Sequence, residues 1–575
     1  MIRMALSYWL SGAAPIAWLL SFFLIACTVV LVVLNMQLNN WQVDFYNHLQ
    51  QHSRSGFYHS LLQFVMICSV LVASTGWQTH FKMLLQIRWR QWLTDRYISL
   101  WLHNQNYYHM NFITNVVDNP DQRIEEDIQL FVTHSLELAV GLLRHLATLV
   151  VFSVVLWRLS GELTVSLIGT TIIIPGYLVW SALIYSTMGT LTTIKIGRPL
   201  MLQNNIQQSN EANFRYSLAR LREYAECIAL YKGELLEKSS LLKRFSNIVA
   251  TYLAMSKTTR DITWVSAAYA QLSTVFAFLI ASPRFFNDEL QLGQLFEISG
   301  AYWYVNSALS YIIESFGKIA QWQAVTDRLQ QFYTQLLKSQ QQKLKTTAPS
   351  LGKPNVLMTK DLSVYSPSGH ALIDKLTIEI AAGDRLLITG PSGCGKSTLL
   401  QTLAGIWPYF DGRLSLPSDD DVLFLPQKPY LPIDSLRNAV LYPHKHGKIT
   451  DTTLKEALTI CKLNILLQQL DREADWSKIL SLGELQRLSL ARAIIHQPKW
   501  LFLDETTSCI DTSMEAEVYQ VLHEKLPTSS IISIGHRDTL KAHHRIILEL
   551  NGSGGWHCIE PTHQRAIPSR LQRAK

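Results

Sequence analysis

The stretch Gly390-Pro391-Ser392-Gly393-Cys394-Gly395-Lys396-Ser397-Thr398 constrains this chain more than any other. It fits the spacing G-x-x-x-x-G-K-[ST]. Ahead of it, Arg385-Leu-Leu-Ile-Thr389 reads as a short buried strand; behind it, Ser397-Thr-Leu-Leu-Gln-Thr-Leu-Ala404 reads as a helix. A strand, a Gly-rich turn and a helix start make an anion cradle. The glycines let backbone N–H groups wrap phosphates, and the helix N-terminus adds the positive end of its dipole. The pattern puts Lys396 on the β- and γ-phosphates and Ser397 on Mg²⁺. Part of the chain is therefore expected to be an α/β domain that binds ATP.

The N-terminal half cannot belong to that domain. Only 17% of the 575 residues are charged, and the apolar residues collect in six runs. These are Pro15–Met36, Leu61–Phe81, Ser135–Trp157, Leu163–Met188, Ile262–Ser282 and Phe296–Ile319. Each is long enough to cross roughly 30 Å of hydrocarbon as a helix. The first is too long, and lacks the cleavage site, for a signal peptide. Lys82, Arg88, Arg90 and Arg96 follow the second run, and eleven Lys and Arg from Lys195 to Arg260 separate the fourth from the fifth. The opposite side has only Arg54, Arg158 and Arg284. The positive-inside rule then puts the N-terminus, both long loops and the C-terminal half in the cytoplasm, where an ATP site must be. The same topology accounts for most of the net charge of +7, so nucleic acid is not an expected partner.

Within the membrane runs, ionisable and polar groups mark contacts or cavities. Glu137 and Arg144 are candidates for a pair in the third run. In the sixth, Asn306, Ser307, Ser310, Glu314 and Lys318 recur at helical steps and read as a pathway lining, with Leu309 facing lipid. Between the fourth and fifth runs, Phe214, Leu218, Leu221, Ala225 and Ile228 have helical spacing, so the span helices should extend into the cytoplasm, where their turns can press on the ATPase. The seven cysteines lack metal or disulfide spacing. The pairs His444/His446 and His543/His544 read as solvated surface. The polar stretch Lys338–Pro354 reads as a linker.

Downstream of the linker, strands end in chemistry. Val364-Tyr365 lies on a strand, and Tyr365 is a candidate to stack on adenine, ahead of His370. Val422-Leu-Phe-Leu-Pro-Gln427 ends in an amide, and Leu501-Phe-Leu-Asp504-Glu505 in two carboxylates. Adjacent buried acids cost several kcal/mol each unless partnered, which favours a metal beside Asp504. Glu505 is placed to polarise an attacking water. Ser530-Ile-Ile-Ser-Ile-Gly-His536 brings a histidine to the same strand ends.

Leu480-Ser-Leu-Gly-Glu-Leu-Gln-Arg487 lies between these strands and resembles the signature motif of ABC transporters. Gln427, Asp504-Glu505, Ser508-Cys-Ile-Asp511 and His536 stand where that family has its Q-loop, Walker B, D-loop and H-loop. The resemblance implies a six-helix exporter-type membrane domain (1–337), a linker (338–354), an ATPase domain (355–560) and a basic tail (561–575). It implies two chains paired head to tail, each ATP lying between one subunit's phosphate loop and Ser481 and Gly483 of the other, with Glu484 and Asp511 in the same site. Glu505, His536 and Gln427 would be catalytic, and Ser397, Gln427 and Asp504 would hold the metal. Two positions depart from the usual LSGGQ: Leu482 replaces glycine and Glu484 replaces glutamine. Together with Asn119-Pro-Asp-Gln-Arg-Ile-Glu-Glu-Asp127 and Trp476, this variant is similar to the peroxisomal fatty-acyl-CoA transporters and the bacterial BacA/SbmA-like transporters. The bacterial branch implies an inner-membrane homodimer that takes up hydrophilic solutes such as cobalamin or peptides. An exporter, an acyl-CoA or lipid transporter of the same fold, and a membrane-tethered ATPase that transports nothing are the rival expectations.

Overall fold

A computed structural model describes the chain except residues 1–7, 13, 113–118, 168–169, 288, 347–355, 416–421, 444–448 and 560–575. His444, His446, residues 347–354 of the expected linker and the basic tail fall outside the described residues; the rest of the expected linker, 338–346, is not irregular chain but the end of the helix Phe316–Thr346. Packing divides the chain into two units. One is Met1–Leu100 with Val117–Thr334; the other is Trp101–Val116 with Gln335–Lys575.

The first unit is built on long helices: α1 (Ala14–Gln50), α2 (Arg54–Leu102), α3 (Ile128–Ser160), α4 (Tyr177–Glu223), α5 (Glu234–Phe286), α6 (Leu292–Glu314) and α7 (Phe316–Thr346). Four described helical stretches are long and apolar enough to cross a membrane: Ala14–Gln50, Arg54–Phe112, Pro120–Ser160 and Glu234–Phe286. They carry the first, second, third and fifth runs. The fourth run differs from expectation. Its first part is an antiparallel hairpin, β1 (Glu162–Leu167) and β2 (Thr170–Pro175), and helix begins only at Tyr177. The cause is local. The segment is rich in Thr, Val and Ile, which favour a pleated strand, and Pro175-Gly176 separates it from the helix. The sixth run lies on α6 and the first turn of α7, with Ser315 between them.

α6 is the inner helix of this unit and packs against α1, α3, α4 and α5. A Cβ at Gly300 would meet Asn39 Oδ1 at 2.2 Å, so glycine there permits the close approach of α6 to α1. Enclosure on so many sides revises the expected polar stripe. Asn306 is buried, accepts from the Tyr269 hydroxyl and donates to Ser273 Oγ at 3.3 Å. It joins helices. Leu309, expected to face lipid, is half-buried against the core around Phe152, Leu178, Ala277 and Tyr302. Glu314 remains exposed. Glu137 does not pair with Arg144; it bridges Lys82 of α2 (3.4 Å) and Lys318 of α7 (3.0 Å). Seven residues separate Glu137 from Arg144, about 10 Å along a helix axis, which leaves neighbouring helices to supply its partners.

The Asn119–Asp127 motif ends in a structural clamp. Asp127 is 1% exposed and accepts from Arg123 at 2.7 Å and from Arg328 of α7 at 3.0 and 2.5 Å. A carboxylate so buried is tolerable only because two guanidinium groups and their hydrogen bonds replace water.

The second unit has two main sheets, besides a short antiparallel pairing of Asp434–Ser435 with Glu473–Ala474. Strands β3 (Val356–Tyr365), β4 (Ala371–Ala381) and β6 (Phe410–Ser415) form an antiparallel sheet in the order β4-β3-β6. The larger sheet has the order β11-β10-β5-β9-β8-β7, with β5 Arg385–Thr389, β7 Val422–Leu425, β8 Trp500–Asp504, β9 Ser530–Ile534, β10 Ile546–Leu550 and β11 Trp556–Ile559. Its strands are parallel except β11. Leu386–Ile388, Leu501–Leu503 and Ile531–Ile532 are buried, the unalternating pattern of strands covered on both faces. Helices α8 (Lys396–Leu403), α9 (Leu482–His496) and α10 (Thr512–Lys525) belong to the same unit. His544 corrects the solvated reading of its pair. It is buried, with Nε2 2.8 Å from Ser533 Oγ and Nδ1 2.8 Å from Leu540 O, and burial holds its pKa down to about 4.

Replacing Asp127 by Ala removes the shared partner of two arginines and should cost about 3 kcal/mol, the typical loss on breaking a buried pair. Asp127→Asn, which keeps an acceptor, should cost less. Thermal unfolding of the detergent-purified chain measures both.

Candidate nucleotide site

Parallel strands bring their carboxyl ends to one edge, and the expected site residues follow those ends directly. Gly390–Lys396 follows β5, Gln427 follows β7, Asp504 ends β8, and His536 follows β9.

The phosphate loop owes its shape to glycine. Gly390, Gly393 and Gly395 have φ of 145°, 79° and 98°, conformations that side chains disfavour. A Cβ at Gly390 would also meet Leu550 O at 2.3 Å. Lys396 is 5% exposed, and its ammonium is held inside the curl by Gly390 O at 3.0 Å and Pro391 O at 2.8 Å. Pro391, Ser392 and Gly393 are exposed at the tip, Cys394 is buried, and Thr398 lies in the first turn of α8. Exposed loop amides, a buried ammonium and a helix start fit a polyphosphate.

Ser397 Oγ donates to Asp504 Oδ1 at 3.1 Å. The pKa of Asp504 is raised, chiefly by burial and further by Glu505, while Ser397 and Lys396 pull it down. A hydroxyl and a carboxylate that resists ionisation without a cation fit a hard divalent metal. Glu505 has φ of 45°, strained for a side chain of its size. Its N–H donates to Ile534 O at 3.2 Å, and its carboxylate has two partners. Gln427 Nε2 donates to Oε2 at 2.9 Å, and His536 Nε2 lies 3.0 Å from Oε1. Five residues from four strand ends thus form one cluster: Ser397, Gln427, Asp504, Glu505 and His536.

Tyr365 ends β3 beside this edge, opposite Ala371. Leu372, next to Ala371, is the nearest side chain to a Cβ placed on Gly395, at 3.1 Å, so the hairpin borders the phosphate loop. The Tyr365 carbonyl accepts from Trp407 Nε1 at 2.9 Å.

The remaining expected residues form a second cluster. Ser481 is the N-cap of α9 and Glu484 its third residue, joined as a capping box: Ser481 N and Oγ donate to Glu484 Oε2 at 2.9 and 2.7 Å. Acceptance of these bonds lowers the Glu484 pKa, the hydroxyl contributing most. Glutamate in place of the usual glutamine therefore has a role in the fold. Leu482 is 42% exposed at the first helical position. A Cβ at Gly483 would sit 3.3 Å from Cys509 O, which ties the signature to the segment around Asp511. Asp511 caps α10 through the Met514 N–H at 2.7 Å.

Three residues that join the clusters were not singled out from the sequence. Gln486 is fully buried; its Nε2 lies 3.4 Å from Gln427 O, 3.5 Å from Glu505 O and 3.3 Å from Ser508 Oγ, and its Oε1 accepts from Cys509 N at 3.1 Å. Arg537 donates to Ile510 O at 2.8 Å and Ser508 O at 3.0 Å. Glu515, 1% exposed, pairs with Arg537 at 3.6 Å and accepts from Thr507 and Thr539 at 2.6 and 2.9 Å. A glutamine at a core position of an otherwise apolar helix face was the available signal for Gln486.

Two family models match: ABC transporter transmembrane region 2 over residues 6–286, and ABC transporter over residues 373–508. An uncharacterized ABC transporter ATP-binding protein of Haemophilus influenzae is 35% identical over 96% of this chain and 92% of its own. The chain belongs to the ABC transporters. The inner membrane ABC transporter ATP-binding protein YddA of Escherichia coli is 32% identical over 92% of this chain and 93% of its own. ABC transporter D family member 2, chloroplastic, of Arabidopsis thaliana is 29% identical over 96% and 85%. This ABC transporter fuses a transmembrane region to an ATPase domain in one chain, binds ATP and couples its hydrolysis to transport.

Glu484→Ala should destabilise the ATPase by about 1 kcal/mol through loss of the capping box. The Glu484 pKa is depressed in the fold, so its contribution exists above the unfolded carboxylate range and disappears as pH falls through the folded value. The melting-temperature difference between parent and variant should therefore shrink from pH 7.5 to pH 4.

Proposed function

We propose that this ABC transporter works as a homodimer in the bacterial inner membrane, ATPase domains cytoplasmic, and moves a hydrophilic solute such as cobalamin or a peptide inward. The observation that carries the catalytic part is the convergence on Glu505, whose two carboxylate oxygens are held 2.9 Å from Gln427 and 3.0 Å from His536. Glu505 acts as general base toward a water, with its orientation set from both sides. Ser397 and Asp504, with Gln427, would hold Mg²⁺, which together with Lys396 would offset charge on the terminal phosphates, and Gln427 lies where it can also meet the attacking water. Tyr365 stacks on adenine. Ser481 and Gly483 of the partner chain, with Glu484 and Asp511 behind them, close each site. The six apolar runs form the membrane domain within residues 1–337, and 338–354 links it to the ATPase domain, 355–560. The inner-membrane relative in Escherichia coli and the basic loops support the location; the relative of the D family supports the related reading of an acyl-type cargo.

Coupling has a structural basis inside the second unit. Trp101–Val116, which follows α2, belongs with the ATPase. The Phe112 ring lies edge-on to Trp407 at 5.2 Å and to Tyr409 at 5.9 Å, and Tyr409 Oη donates to Phe112 O at 3.1 Å. Trp407 N reaches Gln401 O at the end of α8, and its indole reaches Tyr365 O. Movement of Phe112 is thus transmitted to both flanks of the nucleotide site.

Glu505→Gln should bind ATP with Mg²⁺ and hydrolyse it about 10²–10⁴ times more slowly. Hydrolysis near the parent rate would remove Glu505 as the base. Phe112→Ala should keep basal ATPase activity within a few-fold and lose its response to solute in proteoliposomes; an unchanged response would remove this contact from the coupling route.

A further inference from the structure

The first unit holds a polar cavity of about 310 Å³ that reaches from the ends of the second, third and sixth apolar runs toward the middle of the third, lined by Thr79 and Lys82 of α2, Glu137, Arg144 and His145 of α3, and Lys318 of α7. Its charges do not balance. Three basic side chains, Lys82, Arg144 and Lys318, face one carboxylate. Glu137 is already shared by the two lysines, at 3.4 and 3.0 Å. The Arg144 guanidinium is exposed on the cavity and has no hydrogen bond or ion pair among the described residues. His145 is held by stacking on Tyr311, ring centroids 4.2 Å apart. Glu314, the other carboxylate of the expected pathway, does not line the cavity.

Lys82 and Lys318 sit at the ends of their runs, but Arg144 lies near the middle of the third, where surplus charge is costly. An unpaired cation in the middle of a bilayer is strongly disfavoured. A chain that places arginine there beside two lysines and one acid has built a site for an anion. A guanidinium offers a planar fork that matches carboxylate and phosphate oxygens, whereas the lysines, tied to Glu137, fix the electrostatic floor.

We infer that this cavity binds an anionic group, carboxylate or phosphate, of the transported solute, with Arg144 as the contact residue. The inference rests on the transport reading above and adds the charge of the cargo. It requires the Lys82–Glu137–Lys318 bridge to hold the cavity open in shape while leaving its net charge positive.

Thr79→Cys in a cysteine-depleted chain, in phosphatidylcholine nanodiscs, tests the field and the ligand together. The rate ratio of a sulfonate-bearing to a trimethylammonium-bearing methanethiosulfonate should exceed that of a free small thiol by more than tenfold. Adding Arg144→Gln should lower it several-fold, and Arg144→Lys should largely restore it, which a merely structural role would not do. A ratio equal to the free thiol overturns the inference, because a carboxylate of the second chain or another group then neutralises Arg144. At constant ionic strength, glutarate or glycerol 3-phosphate should slow labelling at least threefold where glycerol does not, and Arg144→Gln should abolish the slowing. The two anions separate a carboxylate from a phosphate cargo. No slowing by either, or slowing only when phosphatidylglycerol is present in the disc, overturns a solute site. Basal ATPase of the same discs reports on the transport engine independently, so loss of the field and loss of the ATPase reading are distinguishable.

Discussion

Two neighbouring acids at the end of a buried strand set the terms for the whole ATPase unit. Asp504 and Glu505 follow four residues of apolar strand, where water is scarce and an unpaired carboxylate costs several kcal/mol. The fold meets this by surrounding them with groups from other strands. Ser397 reaches Asp504, and Gln427 and His536 hold Glu505. Because each partner comes from a different strand end, the parallel order of the sheet and the position of the acids are one requirement. Loss of register in any of the four strands would leave a charge stranded.

A second layer keeps this cluster in step with the signature helix. Gln486 contacts the backbone of Gln427 and Glu505 and the segment at Ser508–Cys509, while Glu515 and Arg537 fasten that segment to the residue after His536. The helix that begins at Ser481 therefore cannot shift without moving the carbonyls beside Glu505. Events at the expected partner face and at the reacting face are linked through buried hydrogen bonds, the most direct kind of mechanical connection a protein interior offers.

Most of the ATPase site was legible because its chemistry is written in spacing: the phosphate loop, the paired acids, the histidine after a strand. The joining residues were not, because Gln486 and Glu515 act through backbone carbonyls and hydroxyls whose proximity arises only on folding. In the membrane unit the apolar runs were legible as runs, but hydropathy does not separate helix from hairpin, and Glu162–Leu167 and Thr170–Pro175 went to β-structure through their β-branched residues and terminal proline. Pairing by sequence proximity failed for Glu137, whose partners come from α2 and α7. The stripe on α6 failed in part for a related reason: periodicity identifies one face of a helix but not how many neighbours enclose it, and Asn306 proved to be an internal joint.

The packing of Trp101–Val116 with the ATPase bears on solubility. A cut at the linker would free residues 355–575 as a water-exposed piece while removing Phe112 from Trp407 and Tyr409. Two large aromatic rings would then face solvent on a surface meant to be covered, a patch of the kind that drives self-association. The ATPase of this chain is complete as a surface only when a loop contributed by the membrane half lies on it.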